Sequence, residues 1–257
     1  MKMNGDYLSG NKMYIRPEIF SSHPVTAAQS TRHGGISRAP FDSLNMGFST
    51  ADLPENIFEN RSRFYNALNI PEDKIVVSKQ VHGKEILFAT APGHHEGYDA
   101  IITNVKGLYA VVSVADCTPV LVYDPKNKAI AAIHAGWRGT AQEIVAHTMG
   151  KMKSEFGTQG EDCLAWIGAC IGYEHFEVGE EVAIRFPKTF QRYDAERKKY
   201  FVDLKSANLF QLEQHGVGKN NVEISSYCTI SDNDRFFSYR KEKGLTGRMI
   251  AVMGMHR

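Results

Sequence analysis

Four short apolar runs follow one another between residues 98 and 134, at 98–103, 108–114, 120–123 and 129–134. Each is rich in Val, Ile and Ala and is bounded by Gly, Asn, Asp or Pro. Runs this short and this evenly apolar read as strands buried on both faces, since a strand with one wet face would alternate. Further strands are expected at 25–30, 75–77, 85–90, 164–167, 222–224, 236–239 and 248–253. Three helices are expected. The first covers 54–68, with Asp52 as its cap and Pro54 where proline is tolerated. The second covers 139–156, with Thr140 as cap and Gly157 as stop. The third covers 203–215, capped by Asp203 and ended by Gly216. Strands outnumber helices and the two are mixed along the chain. The expected fold class is therefore α+β (mixed α/β), a mixed β-sheet core with flanking helices. No repeat and no long Pro/Gly/Ser linker interrupts the 257 residues, so residues 1–257 are read as a single compact domain.

Several functions are excluded by what is missing. With 30 basic and 29 acidic residues the net charge is +1, which gives no electrostatic case for nucleic acid or an anionic membrane. Residues 1–19 carry Lys2, Asp6, Lys12 and Arg16 and no long apolar run, so they do not read as a secretion leader. No stretch approaches the ~18 apolar residues of a membrane-spanning helix. The expected location is cytoplasmic, and the four cysteines are expected to be reduced.

Between the strong core runs, the segment from Ala115 to Thr140 is loaded with residues that strands disfavour. Such a local conflict tends to mark function. Cys117 follows the run ending at Val114, His134 ends the run beginning at Ala129, and His82 sits between two expected strands in Gln80-Val81-His82-Gly83. Two readings stay open. His82, Cys117 and His134 are the ligand set of a catalytic zinc site with one open position. Cys117 and His134 alone are a thiol nucleophile and its base. Asp116 could orient a histidine or exchange a proton with substrate.

The polar residues around this core are weaker signals. Arg32, His33 and Arg138 are candidate anion binders, Arg138 with help from the amides of the helix that follows it. Asn45 and Gln80 are candidate amides for a base or sugar. Trp137 either stacks on a planar ligand or packs in the core. Cys163, Cys170 and Cys228 lack paired spacing and read as small buried hydrophobes, with Cys228 a candidate for the pocket wall. His94-His95 reads as an exposed turn.

Taken in order, these segments resemble a known family. Gln80-Val81-His82-Gly83, Ala115-Asp116-Cys117-Thr118-Pro119 and His134-Ala135-Gly136-Trp137-Arg138-Gly139-Thr140 are similar to signature blocks of the YfiH/YlmD family, also called laccase-domain or polyphenol oxidase-like. Similar blocks begin at Thr31, Ser43, Ile167, Cys228 and Thr246, so the likeness runs almost the length of the chain, and bacterial YlmD-type members look nearest. One departure is Ala169, where the family often has Pro. The resemblance implies a YfiH-like fold and a metal site at His82, Cys117 and His134, filled by zinc or, as the older oxidase name suggests, copper. It also implies a purine nucleoside phosphorylase. Its substrates would be phosphate with adenosine, inosine, guanosine or S-methyl-5′-thioadenosine, with some adenosine deamination.

The residues suit that chemistry in part. Arg32 and Arg138 could hold phosphate, and Asp116 or His33 could protonate the leaving purine. The usual zinc-deaminase pattern, H-x-E with P-C-x-x-C, is absent. Multicopper oxidation needs several copper centres, whereas these histidines assemble one mononuclear site. A cysteine hydrolase or amidase built on Cys117 and His134 is the alternative enzyme, for which the resemblance implies peptidoglycan precursors as substrates; a copper-dependent polyphenol oxidase is the alternative that the older family name implies. A non-catalytic metal-binding protein is the third reading.

Overall fold

The computed structural model describes residues 7–8 and 12–257. Lys2 and Asp6, on which the reading of the N-terminus partly rests, lie outside them. The strands in chain order are β1 Tyr7–Leu8, β2 Tyr14–Arg16, β3 Val25–Ser30, β4 Ile75–Lys79, β5 Ile86–Phe88, β6 Gly93–Glu96, β7 Ala100–Thr103 and β8 Tyr109–Val114. They continue as β9 Thr118–Asp124, β10 Ala129–Ala135, β11 Leu164–Ile167, β12 Glu177–Val178, β13 Gln191–Asp194, β14 Lys199–Val202, β15 Val222–Ile224 and β16 Met249–Met255. The helices are α1 Pro54–Ala67, α2 Trp137–Ala141, α3 Ile144–Phe156, α4 Glu180–Ala183 and α5 Leu204–Gln214.

The strands form a seven-stranded sheet in the order β1-β2-β3-β16-β8-β4-β6, a six-stranded sheet in the order β15-β11-β9-β10-β7-β5, and a small sheet β12-β14-β13. Period-2 alternation explains how the large sheets stack. Ala110, Val112 and Met253 of the first sheet share one buried cluster with Leu121, Ile130, Ala132 and Trp166 of the second. The intervening residues point the other way. Val111, Ile250 and Val252 pack under α1 through Phe64, Tyr65 and Leu68. Val120, Ala131 and Ile133 pack under α3 and α5 through Met149, Met152 and Leu212. The result is four layers, helix–sheet–sheet–helix, which is why the core runs are apolar at every position rather than at every second one.

Local chemistry bends several expectations. The helix expected at 139–156 is two helices, because Glu143 adopts a left-handed conformation (φ 60°) between α2 and α3. Thr140 is inside α2 and does not cap it. The exposed amides at the start of α3 are met from 66 positions away, where Gln211 Oε1 accepts from Val145 N at 3.1 Å and Ala146 N at 3.3 Å. Gly157 does end α3 in the left-handed region, and Asp203 does cap α5 by accepting from Ser206 N. Asp52 sits one residue before the α1 cap position, which is Leu53, and accepts from Leu53 N and Asn56 Nδ2.

Residues 236–239 are not a strand. They run through turns in which Glu242 Oε2 accepts from Ser238 N, while Phe236 and Phe237 stay fully buried. His94-His95 is not a turn but part of β6, paired in parallel with β4 through Val77↔His94 and Ser78↔His95. Among the described residues no helix is long and apolar enough to cross a membrane.

Candidate functional site

The strand order brings the three ligand candidates together. His134 has the parity of Ile130 and Ala132, so its side chain faces the space between the sheets near the end of β10. β9 runs antiparallel beside it, with Thr118 opposite Ala135, which places Cys117 next to His134 across the ladder. His82 reaches the same point from the loop between β4 and β5. One ligand atom from each of His82, Cys117 and His134 lies within 4.8 Å of the others. The His82 and His134 rings meet edge to face, with centroids 4.9 Å apart. A Cβ on Gly136 would stand 3.0 Å from Cys117 Sγ and 3.1 Å from His82 Cδ2. A side chain here would press on the sulfur and on the His82 ring, which glycine avoids.

The residue that builds the cluster is Asp99, fully buried at the entry to β7. Its carboxylate accepts from Val81 N at 3.1 Å, His82 N at 2.9 Å and Gly83 N at 2.8 Å. These bonds hold His82 in the left-handed region (φ 60°). The same carboxylate stands 2.7 Å from His134 Nδ1, so that the imidazole donates there and leaves Nε2 for the cluster. The orienting role considered for Asp116 thus belongs to Asp99. The sequence does not flag it, since a lone Asp before an apolar run looks like a strand boundary.

Asp116 itself, left-handed at φ 78°, accepts from Thr229 Oγ1 at 2.6 Å and Arg240 N at 2.7 Å. Burial raises its carboxyl above the usual range despite these bonds. Burial alone would also raise the Cys117 thiol. The His134 charge and hydrogen bonds from both histidines outweigh burial and pull the thiol down to about 6. His134 moves the opposite way, to about 9, because Cys117 and Asp99 overcome the burial that would lower it. Without a metal, Cys117 and His134 form a thiolate–imidazolium pair.

The cluster opens on a cavity of about 900 Å³, a size suited to a small molecule. Four arginines line it, and each guanidinium stacks on an aromatic ring. Arg61 lies 4.7 Å from the Phe48 ring, Arg138 4.4 Å from Trp137, Arg240 5.6 Å from Phe176 and Arg248 5.2 Å from Tyr239. Trp137 is both pocket wall and half-buried packing.

Among the residues proposed from sequence, Asp116, Arg138 and Gln80 line this cavity. The Gln80 amide donates one N–H to Ser113 O and accepts from Ser113 N, which fixes it in the cavity wall. Arg138 is the second residue of a helix of five, Trp137–Ala141, too short to offer an anion-binding terminus. Arg32 and His33 line a separate small pocket of about 330 Å³. The Arg32 guanidinium is neutralised there by Glu242 at 3.2 Å and Asp42 at 3.6 Å. Asn45 is fully buried, and its Oδ1 accepts from Gly47 N and Arg248 N. Cys228 is not in the cavity wall, because its sulfur accepts from Gly172 N. Arg61, Arg240, Arg248, His94 and His95 line the cavity without having been singled out for it.

This fold, with a donor set able to hold a metal beside a cationic cavity, defines a small-molecule site at one end of a two-sheet sandwich. Residues 26–256 match the family described as multi-copper polyphenol oxidoreductase laccase, and the chain belongs to this laccase-domain YfiH/YlmD family. It is 38% identical to a protein of Bacteroides thetaiotaomicron named purine nucleoside phosphorylase, over 97% of this chain and 99% of that one. It is 39% identical to purine nucleoside phosphorylase YfiH of Escherichia coli K12, over 93% and 97%. The crystal structure of YlmD from Geobacillus stearothermophilus superposes with a TM-score of 0.93 at 30% identity, covering 99% and 100%. Among the described residues, His82, Cys117 and His134 are the one group of three such side chains placed to hold a metal.

Proposed function

We propose that the chain is a metal-dependent purine nucleoside phosphorylase of the cytoplasm, working as one domain over residues 1–257. The observation that carries this reading is the pairing of a three-ligand cluster with a cavity walled by stacked arginines and aromatics. The names of the relatives point the same way.

His82, Cys117 and His134 would hold the ion. The donor set of two imidazoles and a thiolate fits zinc with an open position, and it can also take copper. When bound, the metal supplies Lewis acidity at the reacting end of the cavity. The remaining work falls to the chain. Aromatic faces at Trp137, Phe176 and Tyr239 receive the planar base. Arg138, exposed and without a carboxylate partner among the described residues, binds the polar edge of the nucleoside. In phosphorolysis the bond from C1′ to N9 breaks with its electron pair going to the purine, and a phosphate oxygen bonds to C1′. Asp116, whose carboxyl burial raises, supplies the proton that the departing purine takes up. Adenosine, inosine, guanosine and S-methyl-5′-thioadenosine are the proposed substrates, with adenosine deamination as a side activity.

A second reading has an observation of its own. Cys117, His134 and Asp99 stand in the order nucleophile, base and orienting acid, and the thiol is pulled down to about 6. A cysteine hydrolase would use that arrangement without a metal.

The deciding experiment is product analysis of adenosine incubated with the purified zinc-loaded protein, with and without phosphate. Adenine and ribose 1-phosphate appearing only with phosphate are expected. Inosine in both samples points to deamination, and no conversion in either overturns the phosphorylase reading.

A further inference from the structure

A guanidinium withdrawn from water needs a countercharge, and two of the four half-buried arginines have one. Arg32 has Glu242 and Asp42, and Arg235 has Asp234 at 3.9 Å. Arg61 and Arg248 are different. Both are half-buried and both line the main cavity, yet neither has a carboxylate within ion-pair distance among the described residues. The charge that Arg61 feels is that of the Tyr65 phenol, which is neutral near pH 7. Arg248 feels Tyr239 first, then Cys117 and Asp116, but both Asp116 oxygens already accept from Thr229 and Arg240. Leaving two cations in this state is costly unless an anion completes them.

Their mounting is as specific as their isolation. Arg61 Nε donates to Met46 O at 2.9 Å, and Arg248 NH1 donates to Thr246 O and Gly247 O, each at 2.9 Å. Each fork is thus pinned along one edge by backbone carbonyls, and its other N–H groups have no protein partner among the described residues. The two forks flank the same dipeptide. Arg61 stacks on Phe48, while Arg248 crosses Gly47 so closely that a Cβ there would lie 2.4 Å from Arg248 Cγ. Asn45 ties the two sides by accepting from both Gly47 N and Arg248 N. Two pinned forks with free edges are suited to the tetrahedral oxygens of an inorganic phosphate.

We infer that Arg61 and Arg248 form the subsite for the attacking phosphate, beside Cys117 and Asp116, in place of the Arg32 and Arg138 expected from the sequence. This rests on phosphorolysis as the reaction, but phosphate binding can be measured without turnover.

The test is calorimetric titration of the zinc-loaded protein with inorganic phosphate, and with sulfate and chloride as comparison ions, alongside steady-state kinetics. Arg61→Gln should weaken phosphate binding and raise the KM for phosphate about tenfold or more, while the KM for nucleoside changes little. Arg61→Lys, which keeps the charge but loses the fork, should fall between. Arg63→Gln, on the same helix but paired with Glu59 at the surface, should match the wild type. A thermal unfolding curve shows that each variant is folded. Unchanged phosphate affinity in Arg61→Gln, or parallel loss for phosphate and nucleoside, overturns the subsite. Should the wild type fail to cleave nucleosides yet bind phosphate through Arg61, the reaction is wrong and the subsite stands.

Discussion

The cavity has two charged walls, and they handle charge in opposite ways. Around Cys117 the charges answer one another within the protein, thiolate against imidazolium and imidazolium against Asp99. Around Gly47-Phe48 two guanidiniums line the cavity with carbonyl oxygens behind them and no carboxylate within ion-pair distance among the described residues. The first wall is electrostatically complete before any ligand arrives. The second is complete only when one does. A titratable cluster that balances itself points to chemistry held in place, and an unbalanced one points to something that comes and goes.

The largest effect should come from breaking the first wall. Cys117→Ala is expected to drop bound zinc from one per chain to a small fraction and activity to background with the fold kept; full zinc content by metal analysis in that variant would refute the ligand assignment. Asp99→Asn keeps the shape but removes the charge that sets His134. It should cost about 10–100-fold in metal affinity, measured by competition with a chelator. A smaller loss would mean that the backbone alone positions the two histidines.

The metal-free protein carries a pH signature of the same wall. The Cys117 contribution to stability is present above the thiol's unfolded value and fades as pH falls through about 6. The His134 contribution is present below its unfolded value and fades as pH rises through about 9. The stability difference between metal-free wild type and Cys117→Ala should therefore shrink as pH falls through about 6. A difference that does not change as pH falls from about 9 to below 6 would dissolve the ion pair. Alkylation of Cys117 should follow a thiol midpoint near 6 in the metal-free form and be suppressed by zinc. Equal alkylation with and without zinc would instead favour the hydrolase reading.

The smallest effect should lie on the second wall. Arg61→Gln without phosphate should shift Tm by no more than about 2–4 °C, because the lost carbonyl bond is offset by relief of an unanswered charge. The same variant should lose the Tm gain that phosphate gives the wild type. A large destabilisation without phosphate would show that Arg61 serves the fold.

The fold was legible where burial dominates. Strands covered on both faces must be apolar throughout, so β7 to β10 announce themselves. The convergence of His82, Cys117 and His134 was readable because each interrupts such a run with chemistry a strand does not need. What stayed hidden depends on partners far away in sequence. Asp99 acquires its meaning from loop amides 16–18 residues earlier and an imidazole 35 residues later. The break between α2 and α3 is stabilised by Gln211. Nothing in the sequence marks Arg61 until the fold lays it over Phe48. Phe236 and Phe237 have strand-like character, yet local acceptors such as Glu242 hold them in turns.

Asp99 also sets how the cluster moves. One carboxylate grips the loop that carries His82 and the ring of His134 together. The backbone of His82 and the ring of His134 are in effect mounted on a common bracket, so that a displacement of Asp99 carries both along together.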